Sequence, residues 1–149
     1  MDIKIEFAYE NELENIEQLS KEFELEDCCN GIIADSKEDL LKKNIVVAKV
    51  DGEIIGYCYG SEEIKNRDTS FFKKGQKSFY IEEMYIKPQY RNKRIGTLLF
   101  NFIQDYAKSL GCELLETTAV SKDYEALLNF YINNMNMEFW TASLIKKIN

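Results

Sequence analysis

Between Ser78 and Leu110 the chain lays out a strand, a proline stop, a short basic stretch and an amphipathic helix, in that order. Ser78 to Lys87 is the longest strand candidate, and Pro88, the only proline in the chain, ends it. Leu98, Leu99, Phe102, Ile103, Tyr106, Ala107 and Leu110 then fall on one stripe, which predicts a helix from Gly96 to Leu110. Gly111 stands where a helix C-terminal glycine belongs. A further strand candidate, Glu113 to Val120, follows. Strand–helix–strand in this tight succession demands parallel pairing and a helix laid over one sheet face.

The rest of the chain must supply the other strands and the cover for the opposite face. Ile3 to Ala8 alternates as a strand. Asn11 is a helix cap with Glu14 three residues on, and Leu13, Ile16, Leu19 and Phe23 follow at helical spacing. Ser36 caps a short second helix carrying Leu40 and Leu41. Ile45 to Val50 and Glu53 to Gly60 flank Asp51-Gly52, the strongest short-range signal for an antiparallel hairpin. Glu62 to Lys77 reads as a long polar loop, with Phe71-Phe72 unusual in it. Asp123 to about Asn134 reads as a shorter helix, and Phe139 to Ile148 as a last strand. The order β-α-α-β-β-β-α-β-α-β predicts a mixed α/β domain, with a central, mostly antiparallel twisted sheet and helices on both faces.

A chain of 149 residues suits one domain, 1–149, able to bury roughly two-thirds of its unfolded surface. No apolar run approaches the ~20 residues of a membrane span, and MDIKIEFAYE lacks a signal peptide's basic start, so the expected location is cytoplasmic, with no membrane partner. The net charge of −7 argues against a nucleic-acid partner.

Histidine is absent. That removes Ser-His-Asp and Cys-His catalysis and histidine metal ligation, and leaves acid–base work to Glu, Asp, Tyr, Cys or Lys. Cys28, Cys29, Cys58 and Cys112 show no CxxC spacing, so no metal site is expected; the adjacent Cys28-Cys29 pair reads as reduced thiols.

The basic stretch carries the chemistry. Arg91, Lys93 and Arg94 precede the helix, and nothing acidic occurs between Lys87 and Asn101. A helix start offers unpaired N–H groups and the positive end of its dipole, which makes strand–basic loop–helix a phosphate site. A solvated charge run would look the same.

Ile86-Lys-Pro88-Gln-Tyr-Arg91 and Arg91-Asn-Lys-Arg94-Ile-Gly96 resemble the acetyl-CoA motif of the GNAT superfamily of N-acetyltransferases. Arg94 departs from it, standing where the family usually has glycine. Asn129-Phe-Tyr131, followed by Asn136-Met137, is similar to that family's later Phe-Tyr…Gly-Phe helix end, with Asn136 near the family glycine. The resemblance covers nearly the whole chain and implies a GNAT-like fold and transfer of the acetyl group of acetyl-CoA to an amine, with no metal.

It also implies roles. Met84, Tyr85 and Ile86 would hold the pantetheine arm through the backbone, and Arg91, Asn92, Lys93, Arg94, Ile95, Gly96 and Thr97 would hold the pyrophosphate. Ile81-Glu-Glu-Met-Tyr-Ile86 resembles the run of spermidine/spermine acetyltransferases, making Glu82 the base and Glu83 a contact for the cationic substrate. Alternation puts these two glutamates on opposite faces unless a bulge intervenes. Tyr131 would protonate the departing thiolate. Acidic segments (Glu22, Glu24, Glu26, Asp27, then Glu62, Glu63, Asp68) suit a small cationic amine such as a polyamine or aminoglycoside, with Phe71, Phe72 and Trp140 as apolar cover. A protein amine as acceptor, a non-catalytic acyl-CoA-binding module, and a homodimer are the family's other possibilities.

Overall fold

A computed structural model describes residues 1–148. Its five strands lie in chain order across one sheet: β1 (Ile3–Phe7), β2 (Val46–Val50), β3 (Glu53–Ile64), β4 (Lys77–Ile86) and β5 (Leu114–Thr117). The first three pairings are antiparallel and β4–β5 is parallel. Helix α1 (Leu13–Glu26) and the short α2 (Lys37–Leu41) cover one face; α3 (Ile95–Ser109) covers the other. The short α4 (Tyr124–Leu128) runs on into a wider π-turn over Asn129–Asn134.

Each predicted element through the second βα unit forms, most within a residue or two. Asp51 and Gly52 both take positive φ, as the hairpin between β2 and β3 requires. The polar stretch expected from Glu62 is partly strand, because β3 runs on to Ile64 and pairs with Lys77. The remaining loop is pinned by Lys65 N–H donating to Gln76 and Gly75 N–H donating to Lys65. The last strand is a correction. Residues 138–148 form no ladder, and Leu144, Ile145 and Ile148 are almost fully exposed. Strand-like composition alone does not make a strand; a partner edge is also needed.

The core divides at the sheet. Val46, Ala48, Ile55, Cys58, Phe79 and Ile81 meet Leu99, Phe100 and Ile103 of α3. Val47, Tyr57, Tyr59 and Tyr85 meet Ile16, Leu19 and Phe23 of α1. Along β4, Phe79 and Ile81 point to the α3 side, but Tyr85 points to the α1 side. Strict alternation would keep 79, 81 and 85 together. The change comes from a bulge: Gly60 opposes Ile81 and Tyr59 opposes Glu83, leaving Glu82 as the extra residue.

Gly60 makes that bulge possible, since a Cβ there would collide with the Tyr80 carbonyl oxygen and the Phe79 ring. Gly60→Ala is therefore expected to cost roughly 1–3 kcal/mol of stability, read from urea unfolding. A neutral result would show that the bulge tolerates a shift of β3.

Candidate active site

Beyond Ile81 and Thr117 the two parallel strands part. β5 pairs only with Ser78–Ile81, so Glu82–Ile86 have no strand neighbour on that edge. The two ends of the free stretch are tied. The Thr117 hydroxyl donates to the Ile81 carbonyl at 3.2 Å, and Arg91 Nε donates to the Ile86 carbonyl at 2.9 Å. Between them lies a V-shaped gap flanked by the outward backbone polar groups of alternate residues, Met84 and Ile86, while those of Tyr85, like the Lys87 N–H on Ile55, face β3. The side chains of Met84 and Tyr85 are elsewhere: Met84 packs against the α3-side core, and Tyr85 stacks on Phe23 with centroids 4.6 Å apart.

At the wide end of the gap the loop 91–94 enters α3. Asn92 and Arg94 both adopt left-handed backbone, at φ 61° and 65°. Arg94 thus has the conformation glycine usually takes, although it carries a side chain. Asn92, Lys93 and Arg94 are exposed, Ile95 is buried, and Gly96 and Thr97 are half-buried at the helix start. A Cβ at Gly96 would meet only ordinary contacts at 3.5 Å, so packing does not require glycine there. The loop's fit to a diphosphate rests on its turn geometry, its lack of acids and the unpaired N–H groups of α3.

Arg91 is placed differently from its loop neighbours. Its guanidinium makes a two-pronged pair with Glu26 at the end of α1, at 2.6 and 2.8 Å, while Tyr85 donates to the same carboxylate at 3.1 Å. The pair holds the Glu26 carboxyl below its ordinary range. Its side chain therefore clamps the loop to α1, rather than standing free in the gap.

The two glutamates of β4 also part company. The bulge turns both toward the α1–α2 side. Glu82 is partly exposed, accepts from Ser61 Oγ at 3.2 Å and pairs with Lys43 at 3.3 Å. Glu83 lies deeper. It accepts from the Tyr57 hydroxyl and lies 3.1 Å from the Tyr59 hydroxyl, which is 2.5 Å from Asp35 Oδ2. Burial, the largest cause, raises the Glu83 carboxyl above its ordinary value; the Asp35 charge adds to this, and the two tyrosine hydrogen bonds and Lys43 oppose it. Cys58, fully buried in β3, is pushed up by burial and by Glu83. Tyr131 is also buried; its hydroxyl faces Thr117 at the vertex of the gap, and burial pushes it up to about 12. Asn136 takes φ 57°, the left-handed turn that ends this segment.

A shallow pocket of ≈ 380 Å³ opens beside these groups, lined by Asp35, Asp39, Lys43, Ser61 and Glu82 among others. The role of Tyr57 and Tyr59 was not legible in the sequence. The signal was present as two tyrosines at period two, opposite a glutamate strand. Phe71, Phe72 and Trp140 do cluster, but around the buried Lys65, which pairs with Glu116 at 2.7 Å. Among the described residues no group of three or more acidic, cysteine or histidine side chains could hold a metal, and no helix is long and apolar enough to cross a membrane.

A mixed sheet whose parallel pair opens into a gap, with a glycine-like basic loop at one end and a buried carboxylate beside it, defines an acyltransferase. The chain belongs to the Acetyltransferase (GNAT) family, whose profile matches residues 10–135. It resembles an aminoglycoside N-acetyltransferase solved with CoA (15% identity, TM-score 0.71, covering 99% of this chain and 95% of that one). It also resembles an aminoglycoside acetyltransferase from an uncultured soil metagenomic sample, solved with sisomicin (19%, 0.69, 99% and 97%). A ribosomal-protein-alanine N-acetyltransferase from Brucella melitensis biovar Abortus 2308 has the same fold (17%, 0.73, 98% and 99%). No curated protein matches the chain.

Two outcomes follow. Arg94→Gly is expected to relieve left-handed strain and add about 0.5–1 kcal/mol of stability in urea unfolding. Because the folded state holds the Glu83 proton more tightly, stability is expected to fall as pH rises from the ordinary carboxylate range through the raised value. Glu83→Gln should flatten that segment of the stability–pH curve.

Proposed function

We propose that this enzyme transfers the acetyl group of acetyl-CoA directly to the primary amine of a small molecule, with Glu83 as the base. The observation that carries the reading is Glu83 itself: a buried carboxylate with a raised pKa, held by Tyr57 and Tyr59 next to the open edge of β4. An alkyl ammonium has a pKa near ~10 and cannot attack until it loses a proton. A carboxylate raised toward neutrality is a better acceptor for that proton than an ordinary one. The resemblance assigned the base to Glu82 and the cation contact to Glu83. Their burial runs the other way, and the present reading exchanges the two roles.

Acetyl-CoA would lie along the gap as a substrate. The backbone groups of β4 that face the gap beyond Ile81, Met84's among them, support its pantetheine arm, and loop 91–94 with Ile95, Gly96 and Thr97 supports its diphosphate through N–H groups. Arg91 acts by holding that loop against Glu26. As the new C–N bond forms and the C–S bond breaks, the thiolate leaves beside the vertex where Tyr131 sits. Its hydroxyl, near Thr117, is the available proton donor. A thiol has a pKa near ~8.5, so this help is modest.

The expectation of a polycationic acceptor drew on acidic segments. Much of that charge is met internally: Glu26 by Arg91, Asp27 by Lys122, Glu62 by Lys77 and Glu63 by Lys65. What lines the pocket is a smaller acidic set, Asp35, Asp39 and Glu82, with Glu83 behind the Tyr59 hydroxyl.

The test is CoA release, read by chromatography, with acetyl-CoA and a panel of polyamines, aminoglycosides, amino acids and peptides. Turnover with a small amine is expected. Glu83→Gln should lower kcat by about 10²–10³-fold, Glu82→Gln by much less, and Tyr131→Phe by an intermediate amount. Loss of activity in Glu82→Gln with retention in Glu83→Gln would restore the opposite assignment. Turnover only with peptides would move the acceptor to a protein amine.

A further inference from the structure

The acceptor pocket already contains an ammonium group. Lys43 follows α2, and its Nζ lies 3.3 Å from Glu82 Oε2 and 4.4 Å from the centroid of the Tyr59 ring. Its side chain is only 27% exposed. The hydroxyl of the same tyrosine faces both Asp35, at 2.5 Å, and Glu83, at 3.1 Å. One hydroxyl carries one proton and cannot donate to both carboxylates. Two acids gathered on it call for a positive charge nearby, and in the free protein Lys43 provides it over the ring face.

The pocket's remaining charged groups are Lys42, a second cation at its wall, and Asp39. Asp39 is used in capping α2, accepting from the Ser36 N–H at 3.1 Å and the Ser36 hydroxyl at 2.8 Å. Glu82 is taken by Lys43. That leaves Asp35 at the pocket wall, with Glu83 behind it across the Tyr59 hydroxyl, for an incoming ammonium. A second ammonium on the same acceptor would need Glu82, and would have to expel Lys43 and then sit beside it.

We infer that Lys43 fills the second cation position of the acceptor pocket with its own side chain, so that the enzyme selects acceptors with a single ammonium over diamines and polyamines. The inference rests on the transfer reading above and narrows its substrate class. Lys43 is thereby a specificity residue.

Two amines of equal carbon chain, butylamine and putrescine, provide the test. Their affinities are measured by calorimetry on the full chain with CoA present, and their kcat and KM in the acetylation assay. The wild type is expected to favour butylamine. Lys43→Met should raise the putrescine-to-butylamine affinity ratio roughly two- to fivefold, the value of one freed, partly exposed carboxylate, and in turnover the change should fall on KM. Lys43→Arg should keep the wild-type ratio, and Glu82→Gln placed on Lys43→Met should cancel the gain. A merely structural lysine would alter both amines alike.

An unchanged ratio in Lys43→Met, or the same ratio in Lys43→Arg and Lys43→Met, overturns the inference; so does binding of neither amine by either protein. Binding that follows the expected ratios without any acetylation would leave Lys43 as the selector and overturn the transfer reading instead.

Discussion

The bulge at Glu82 is the constraint on which the site depends. β4 must keep its pairing with β3 on one edge while it separates from β5 on the other. A regular strand would carry Glu83 to the α3 side together with Phe79 and Ile81, burying a charge in an apolar layer at a cost of several kcal/mol. The extra residue reverses the alternation at the point where the strands diverge. Ile81 stays in the α3-side core, while Glu83 turns to the face where Tyr57 and Tyr59 can hydrogen-bond it. Gly60 permits this because the β4 backbone comes too close for any side chain. One residue without a side chain, opposite one residue without a partner, thus sets the position of the buried carboxylate.

The gap between β4 and β5 raises a second problem, which is solved at its margins. Strand edges left open cost stability and invite wrong pairing. Here the opening is bounded by Thr117 on Ile81 at the vertex and by Arg91 on Ile86 at the mouth. Arg91 also reaches Glu26, so the end of α1, the end of β4 and the start of the basic loop form one unit. That explains why an arginine in a phosphate-type loop is useful even when its charge is spent elsewhere. Backbone N–H groups bind an anion only if the loop that presents them is held still.

Much of this was legible in the sequence, for identifiable reasons. The Asp51-Gly52 hairpin, the α3 stripe and the stop at Pro88 are local signals, and each formed where expected. The βαβ unit followed from them. The condition for Glu82 and Glu83 to share a side was also legible; whether it was met was not, because a bulge depends on the register of two strands. The clamp between Arg91 and Glu26 and the tyrosine bridge between Asp35 and Glu83 join residues 24 to 65 positions apart. No spacing rule reaches that far. The segment 139–148 failed for the opposite reason: its composition is strand-like, but a strand is a property of a pair.

Charge distribution shows most clearly how sequence and site differ. Counted along the chain, the first helix, its following loop and the β3–β4 loop are strongly acidic, and a count alone favours a polycation. Counted in space, Glu26, Asp27, Glu62 and Glu63 are met by Arg91, Lys122, Lys77 and Lys65, and apart from the buried Lys65 these pairs stand at exposed or half-exposed positions where each contributes little to stability. What such pairing does change is the field. A field that is cancelled within a few ångströms steers little, and the residual charge becomes that of the few carboxylates that burial or hydrogen bonding sets apart. In this protein those are Glu83 and Asp35 on one tyrosine hydroxyl, with Lys43 over the ring. On the proposed reading, selection among amines therefore turns on how one internal ammonium competes with the ligand's, and the net charge of −7 has little part in it.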